Sequence, residues 1–300
     1  MEDRRRRILS LVDPSREIGL EIGPLAKPIV ERSMGRILYS DHRSTEELRQ
    51  KYAPHADKGA LALNDIVEID LVVPENTSLP AVLGDRGPVD YVVASHVMEH
   101  IPDTIGWLNQ IADCLHEGGR LCLAVPDKRF TFDHHRDVTP TRELVQNHLL
   151  RPTVPTPAQV YDHVAKVTEV DAAAVWSGRP APATPMRDHG PAVALILAAG
   201  VARDGIYHDV HCTVYTPASF AEVIGDTILL GLVPFAFAAI EATAPGGTEF
   251  FATLVKQARL NPEERAAGTP VLDRRVHHAL PSGRHEGRLS GLRRRLGGDP

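Results

Sequence analysis

The chain has 300 residues, of which 43% are hydrophobic and 24% charged, and its formal net charge is −6. These values fit a soluble globular protein, either one large α/β domain with an insertion or two small domains. They exclude a general nucleic-acid binder. Residues 271–300 hold seven arginines against Asp273, Glu286 and Asp299, so the rest of the chain is more acidic than the total suggests. The three cysteines, Cys114, Cys122 and Cys212, form no C-x-x-C pair, which fits a reducing compartment better than a disulfide framework. Arg4 to Arg7 precede only five apolar-rich residues, Ile8 to Val12, with Ser10 among them; a secretory signal needs a longer run. The longest apolar stretch, Ile228 to Ile240, is interrupted by Gly231 and Pro234 and is too short to cross a bilayer. The expectation is a cytoplasmic protein without a membrane span.

Strand-like and helix-like segments alternate from Glu17 to Val125. Glu17–Ile22 reads as a short strand ending at Gly23-Pro24, and Arg36–Ser40 as a second strand ended by Asp41. Ser44-Thr45-Glu46-Glu47 is a capping box that opens a helix to about Tyr52. Ile66–Leu71 reads as a third strand. Asp90–Ser95 is apolar without alternation, the pattern of a strand buried on both faces. A helix over Asp103–His116 stops at Gly118-Gly119, and Arg120–Val125 is another buried strand closed by Pro126. The alternation predicts a mostly parallel sheet with helices on both faces. Beyond Pro126 a polar segment, 127–140, leads to helices over about 141–150, 157–176 and 192–203. Tyr207–Tyr215 reads as extended, Thr216–Leu230 as a helix, and Val233–Ala242 with Glu249–Gln257 as a hairpin turned by Pro245-Gly246-Gly247. The Arg-, Gly- and Pro-rich tail from about Leu260 has too few large apolar residues to order itself.

Three sites carry chemistry. Glu21-Ile22-Gly23-Pro24 places an acid and a glycine where the first strand ends, the place where parallel sheets bind nucleotide-type ligands. The G-x-G-x-x-G of a pyrophosphate cradle is missing, which argues against NAD. Asp41, twenty residues after Glu21, ends the second strand, where an acid can accept hydrogen bonds from ribose hydroxyls; a helix-capping aspartate is the plainer alternative. His96-Val97-Met98-Glu99-His100 matches the H-x-x-E-H signature of inverted zinc peptidases. That signature needs a helix through the motif, whereas a strand precedes it and Pro102 follows, so no metal is expected there. Near the fifth strand end, Asp127 should face the same side as Tyr207–His211. In an extended segment Asp209 and His211 share a face, which favours His211 over His208 as a base.

Taken together, E-I-G-P-L, Asp41, D-Y-V-V-A-S-H-V-M-E-H-I-P-D and H-E-G-G-R-L-C-L-A-V-P, in that order, resemble the class I S-adenosylmethionine-dependent methyltransferases over residues 17–126, with 216–257 matching their last helix and strand pair. The resemblance is narrower still to bacterial methyltransferase-domain proteins of unassigned substrate that carry P-D-K-R-F-T-F-D and D-V-H-C-T-V-Y-T-P-A-S-F. It implies an α/β, Rossmann-like fold with a mostly parallel seven-stranded sheet, a C-terminal antiparallel hairpin and a helical cap insertion. Residues 1–126 would form the cofactor-binding half, 127–212 the cap, 213–258 the part that completes the sheet, and 259–300 a disordered tail. S-adenosylmethionine would be the cofactor: Glu21 orients the first loop and the methionine amine, Gly23 passes beneath, Asp41 holds the ribose, Asp70 approaches the adenine, and Ser95 and His96 lie beside the methyl group. His211 and Asp127 would serve catalysis on a small-molecule or carbohydrate acceptor, with no specific nucleic acid as partner. An inactive cofactor-binding scaffold beside a glycan-modifying enzyme and a zinc metallopeptidase are the competing readings.

Overall fold

The computed structural model describes residues 2–56, 62–74, 77–186 and 188–258. The tail expected to be disordered, 259–300, lies outside the described residues. In chain order the elements are α1 (Glu2–Ile8), β1 (Ile18–Ile22), β2 (Arg36–Asp41), α2 (Thr45–Ala56), β3 (Leu71–Val72), α3 (Leu79–Leu83), β4 (Val89–Ser95), α4 (Thr104–Cys114) and β5 (Leu115–Pro126). They continue with α5 (Thr141–Leu150), α6 (Pro157–Lys166), α7 (Ala172–Trp176), α8 (Pro191–Asp204), α9 (Pro217–Leu229), β6 (Phe235–Glu241) and β7 (Glu249–Lys256).

The strands form one seven-stranded sheet in the order β3-β2-β1-β4-β5-β7-β6. β1 to β5 run parallel and β7 runs antiparallel between β5 and β6. This is the mostly parallel sheet with a C-terminal hairpin that the sequence predicts. Local chemistry sets several boundaries. Ser44 and Glu47 close their capping box at the start of α2, and Thr216 with Ser219 closes another at α9. The third strand is shorter than expected: only Leu71 and Val72 pair with β2, because the Asp70 carboxylate accepts the Tyr39 N–H and occupies the edge just before them. The helix expected over 157–176 is two helices, since Asp171 caps a new one at Ala174. The segment 207–215 carries no ladder beyond a single bridge from Tyr215 to Asp127.

The two faces of the sheet are covered differently. On one, Leu20, Val92, Leu121 and Phe250 pack with Leu108 and Ile111 of α4 and Phe220 and Ile224 of α9. On the other, Tyr39, Tyr91, Val93 and Phe251 pack with Ile8 of α1 and with Ile29 and Val30 from the β1–β2 connection, which contains no helix. Each such fully buried side chain contributes about 1.5–3 kcal/mol. The insertion has its own small core, in which Val160 and Val164 of α6 and Ala194 and Val201 of α8 enclose Val210 and Cys212. That core fixes the two neighbours of His211.

Candidate active site

Strand order reverses between β1 and β4, so the crevice at their carboxyl ends is where an open parallel sheet binds its ligand. Two loops meet there. Gly23 follows β1 with φ +65°, and a Cβ added to it would lie 3.3 Å from Val97 Cγ2, in the loop after β4. Glycine is required by the left-handed backbone and by the close approach alike.

Glu21 is buried beneath this crevice. Its two carboxylate oxygens accept the backbone N–H groups of Ile29 (2.7 Å) and Val30 (2.9 Å), and Tyr39 Oη donates to the Val30 carbonyl at 2.7 Å. Burial pushes the Glu21 carboxyl up to about 7 against the opposing effect of those two donors. It therefore shapes the first loop. Asp41 ends β2; its Oδ1 accepts the His42 N–H at 2.7 Å and lies 2.6 Å from the His42 ring, while Oδ2 accepts no hydrogen bond among the described residues. Asp70 precedes β3 instead of ending it, and its Oδ2 accepts from Tyr39 N and Arg32, both at 2.8 Å.

Ser95, the last residue of β4, and His96 after it are bound by a pair of residues that sequence reasoning missed. Arg4 of α1 donates to both oxygens of Glu249 (2.6 and 2.8 Å) and to Ser95 Oγ (2.6 Å), while His96 Nε2 lies 2.8 Å from Glu249 Oε2. Burial would raise the Glu249 carboxyl, but His96 and Arg4 hold it at about 2. The basic run Arg4–Arg7 thus clamps α1 to the sheet: Arg5 pairs with Glu31 and Arg7 with Glu241.

The other half of the site lies beyond His96. Met98–His100 form a single 3-10 turn, and the Glu99 carbonyl accepts the N–H groups of Cys212 (2.5 Å) and Thr213 (3.1 Å). This clamp brings His211 to Glu99 and His100. One ligating atom from each of the three side chains lies within 4.8 Å of the others. His211 Nδ1 lies 2.6 Å from Asp133 Oδ2, and Arg136 donates to Asp133 Oδ1 (2.7 Å) and to the His211 carbonyl (2.9 Å). Burial would raise the Asp133 carboxyl, yet the His211 and Arg136 contacts hold it at about 2. His163, pushed down to about 3 by burial and the Arg136 charge, accepts the His211 N–H on Nδ1 as a neutral ring. Asp133 and Arg136 come from the polar segment after β5; Asp133 ends the P-D-K-R-F-T-F-D segment, but nothing in the sequence assigned either residue to the site.

Asp127 is fully buried. Arg129 pairs with its carboxylate and Thr243 Oγ1 donates to it at 2.6 Å, so it joins the β5 end to the hairpin. His208 makes no contact with this cluster in the described structure, and His211 does.

The donor set at the crevice fits a nucleoside sulfonium: an acid with a free oxygen at the β2 end, a glycine under the crevice and no phosphate cradle. Comparison with known proteins agrees. The profile of a family described as a methyltransferase domain matches residues 9–170. No curated protein matches the chain. Similar solved structures include magnesium protoporphyrin IX methyltransferase (ChlM) from Synechocystis PCC 6803 with bound SAM, 11% identical, covering 85% of this chain and 77% of that one, TM-score 0.37. Another is an S-adenosylmethionine-dependent methyltransferase from Mesorhizobium loti, 11% identical, covering 85% and 96%, TM-score 0.39. StiE O-MT is 15% identical, covering 93% and 80%, TM-score 0.38. The assignment rests on the family profile, which spans more than half of the chain. The chain belongs to the methyltransferase-domain family and is an S-adenosylmethionine-dependent methyltransferase with the class I fold.

Proposed function

We propose that the protein methylates a hydroxyl oxygen of a small-molecule or carbohydrate acceptor held against Glu99, His100 and His211. The cofactor supplies a methyl carbon on a sulfonium that is already activated. The chain must then align the acceptor oxygen with that carbon, exclude water and help the hydroxyl lose its proton. Asp41 accepts hydrogen bonds from the ribose through Oδ2, and Gly23 lets the first loop pass close beneath the cofactor. Glu21 and Asp70 act through the backbone they hold, and Ser95 and His96 border the crevice under the Arg4–Glu249 clamp.

The observation that carries the acceptor assignment is the Asp133–His211 pair at 2.6 Å beside the β4 end. A carboxylate acceptor needs no such group, whereas an alcohol does. His211 is therefore the residue through which the site activates the acceptor oxygen. The test is to incubate the protein with labelled cofactor and lysate, identify the labelled product, and assay His211→Ala on it. Turnover should fall by about a hundredfold or more with cofactor affinity unchanged. Full activity of the variant would remove His211 from the mechanism. Bound cofactor with no turnover on any acceptor would favour the scaffold reading.

A further inference from the structure

We propose that Glu99, His100 and His211 bind one first-row divalent transition-metal cation of the zinc, cobalt or manganese class. The binding claim stands on its own observations; the cation's role, activating the acceptor oxygen, rests on the function proposed above.

Glu99 is the first observation. It is 2% exposed, and neither carboxylate oxygen has a hydrogen-bond partner. His96 Nδ1 is 3.5 Å from Oε1 and makes no hydrogen bond to it. A buried carboxylate left without donors is costly and is normally paired or bound to a metal. Here it faces two imidazoles, each offering a nitrogen within 4.8 Å.

The histidines are the second observation. The His211 ring is held by Asp133 on Nδ1; Asp209 Oδ1 lies 3.0 Å from His100 Nδ1 without the geometry of a hydrogen bond, so only the His211 ring is fixed in this way. A carboxylate on one ring nitrogen fixes the tautomer and leaves the other nitrogen to bind, the arrangement typical of metal-ligating histidines. The two rings stand nearly perpendicular, 89° apart, with centroids 4.8 Å apart, so they do not stack on each other. The backbone clamp from Glu99 to Cys212 and Thr213 holds the donors in place before any ion arrives. Two imidazoles and one carboxylate suit zinc, cobalt or manganese; magnesium, which prefers all-oxygen octahedral sites, is disfavoured. Three protein ligands leave a coordination position open. The half-exposed His100 and Asp209 mark the side from which an acceptor oxygen reaches it. A hydroxyl bound there loses its proton to water more readily than a free one.

The sequence analysis expects no metal at His96-Val97-Met98-Glu99-His100, on the ground that no helix runs through the motif to pair His96 with His100. The structure bears on that pair directly: the motif forms a single 3-10 turn and His96 turns to Glu249. The third donor, His211, comes from the far end of the insertion.

The test uses the untagged full-length chain, stripped with chelator and equilibrated with Co²⁺ or Zn²⁺. Elemental analysis should find about one ion per chain, and Co²⁺ should give visible absorption and paramagnetically shifted histidine signals. Mg²⁺ alone should not compete. Glu99→Gln and His211→Ala should weaken binding at least about tenfold and Asp133→Asn about 10–100-fold, while His96→Ala keeps the ion. Calorimetry with S-adenosylhomocysteine establishes that each protein is folded. Wild-type protein that binds S-adenosylhomocysteine but no cation overturns the proposal. So does an ion retained by Glu99→Gln, or shifted signals from histidines other than His100 and His211, a readout that needs no variant. Bound cation without methyl transfer would sink the proposed function alone; turnover in cation-free protein would sink the cation's role in activating the acceptor alone.

Discussion

Two glutamates sit behind two strand ends, and they make opposite use of burial. Glu21, behind β1, is 1% exposed and has both oxygens filled by backbone N–H groups of the loop it holds. Glu99, behind β4, is 2% exposed and has neither filled. The same residue type at the same depth is a structural post in one place and an unspent ligand in the other. Burial alone does not tell a scaffold acid from a functional one; what its oxygens touch does.

Substitution should separate the two most sharply. Glu21→Ala leaves two buried N–H groups without acceptors, at about 1–3 kcal/mol each, so urea unfolding should show a loss of about 2–6 kcal/mol. Glu99→Gln removes no hydrogen bond and should unfold within about 1 kcal/mol of wild type. Equal losses would break the comparison.

The pH dependence of stability tests the Glu21 side next. Its carboxyl is raised from 4.5 to about 7 in the folded protein, so the folded state holds a proton that the unfolded state has released. Stability contributed by this group is full below pH 4.5 and is lost as the pH rises towards 7, by about 3 kcal/mol. Urea midpoints across that range should decline in wild type, and the decline should flatten in Glu21→Gln. A smaller effect is expected at Asp41, whose free oxygen we propose binds the ribose: Asp41→Ala should weaken cofactor binding at least about tenfold by calorimetry, with the fold intact. The smallest belongs to the clamp above both loops. Arg4→Ala breaks a partly exposed fork and should lower stability by about 1 kcal/mol in the same urea assay.

The fold was legible where segments were long or sharply bounded. D-Y-V-V-A-S reads as a buried strand because its apolar residues run on without alternation, and β4 forms there. The strand at Ile66–Leu71 misled because hydrophobicity marks burial, not pairing: Ile66 is buried, but only Leu71 and Val72 join the sheet. At the site, the local pattern gave the strand-end positions of Gly23 and Asp41. It could not give the set Glu99, His100 and His211, because that set exists only once the Glu99 carbonyl has captured Cys212 and Thr213 across the insertion. The place of Asp133 and Arg136 in the site was not legible for the same reason. They lie in a polar stretch without periodicity, and their partners come from α6 and the segment before α9.

The N-terminal helix has a consequence for how the chain is made. α1 is seven residues long, too short to persist alone in water, and Arg4 and Arg7 find their acids at Glu249 and Glu241. On a ribosome α1 emerges before the β6–β7 hairpin and must therefore wait for it before it can dock. Until then the sheet face that α1 covers, with Tyr91, Val93 and Phe251 beneath it, stays open to chaperones or to a neighbouring nascent chain.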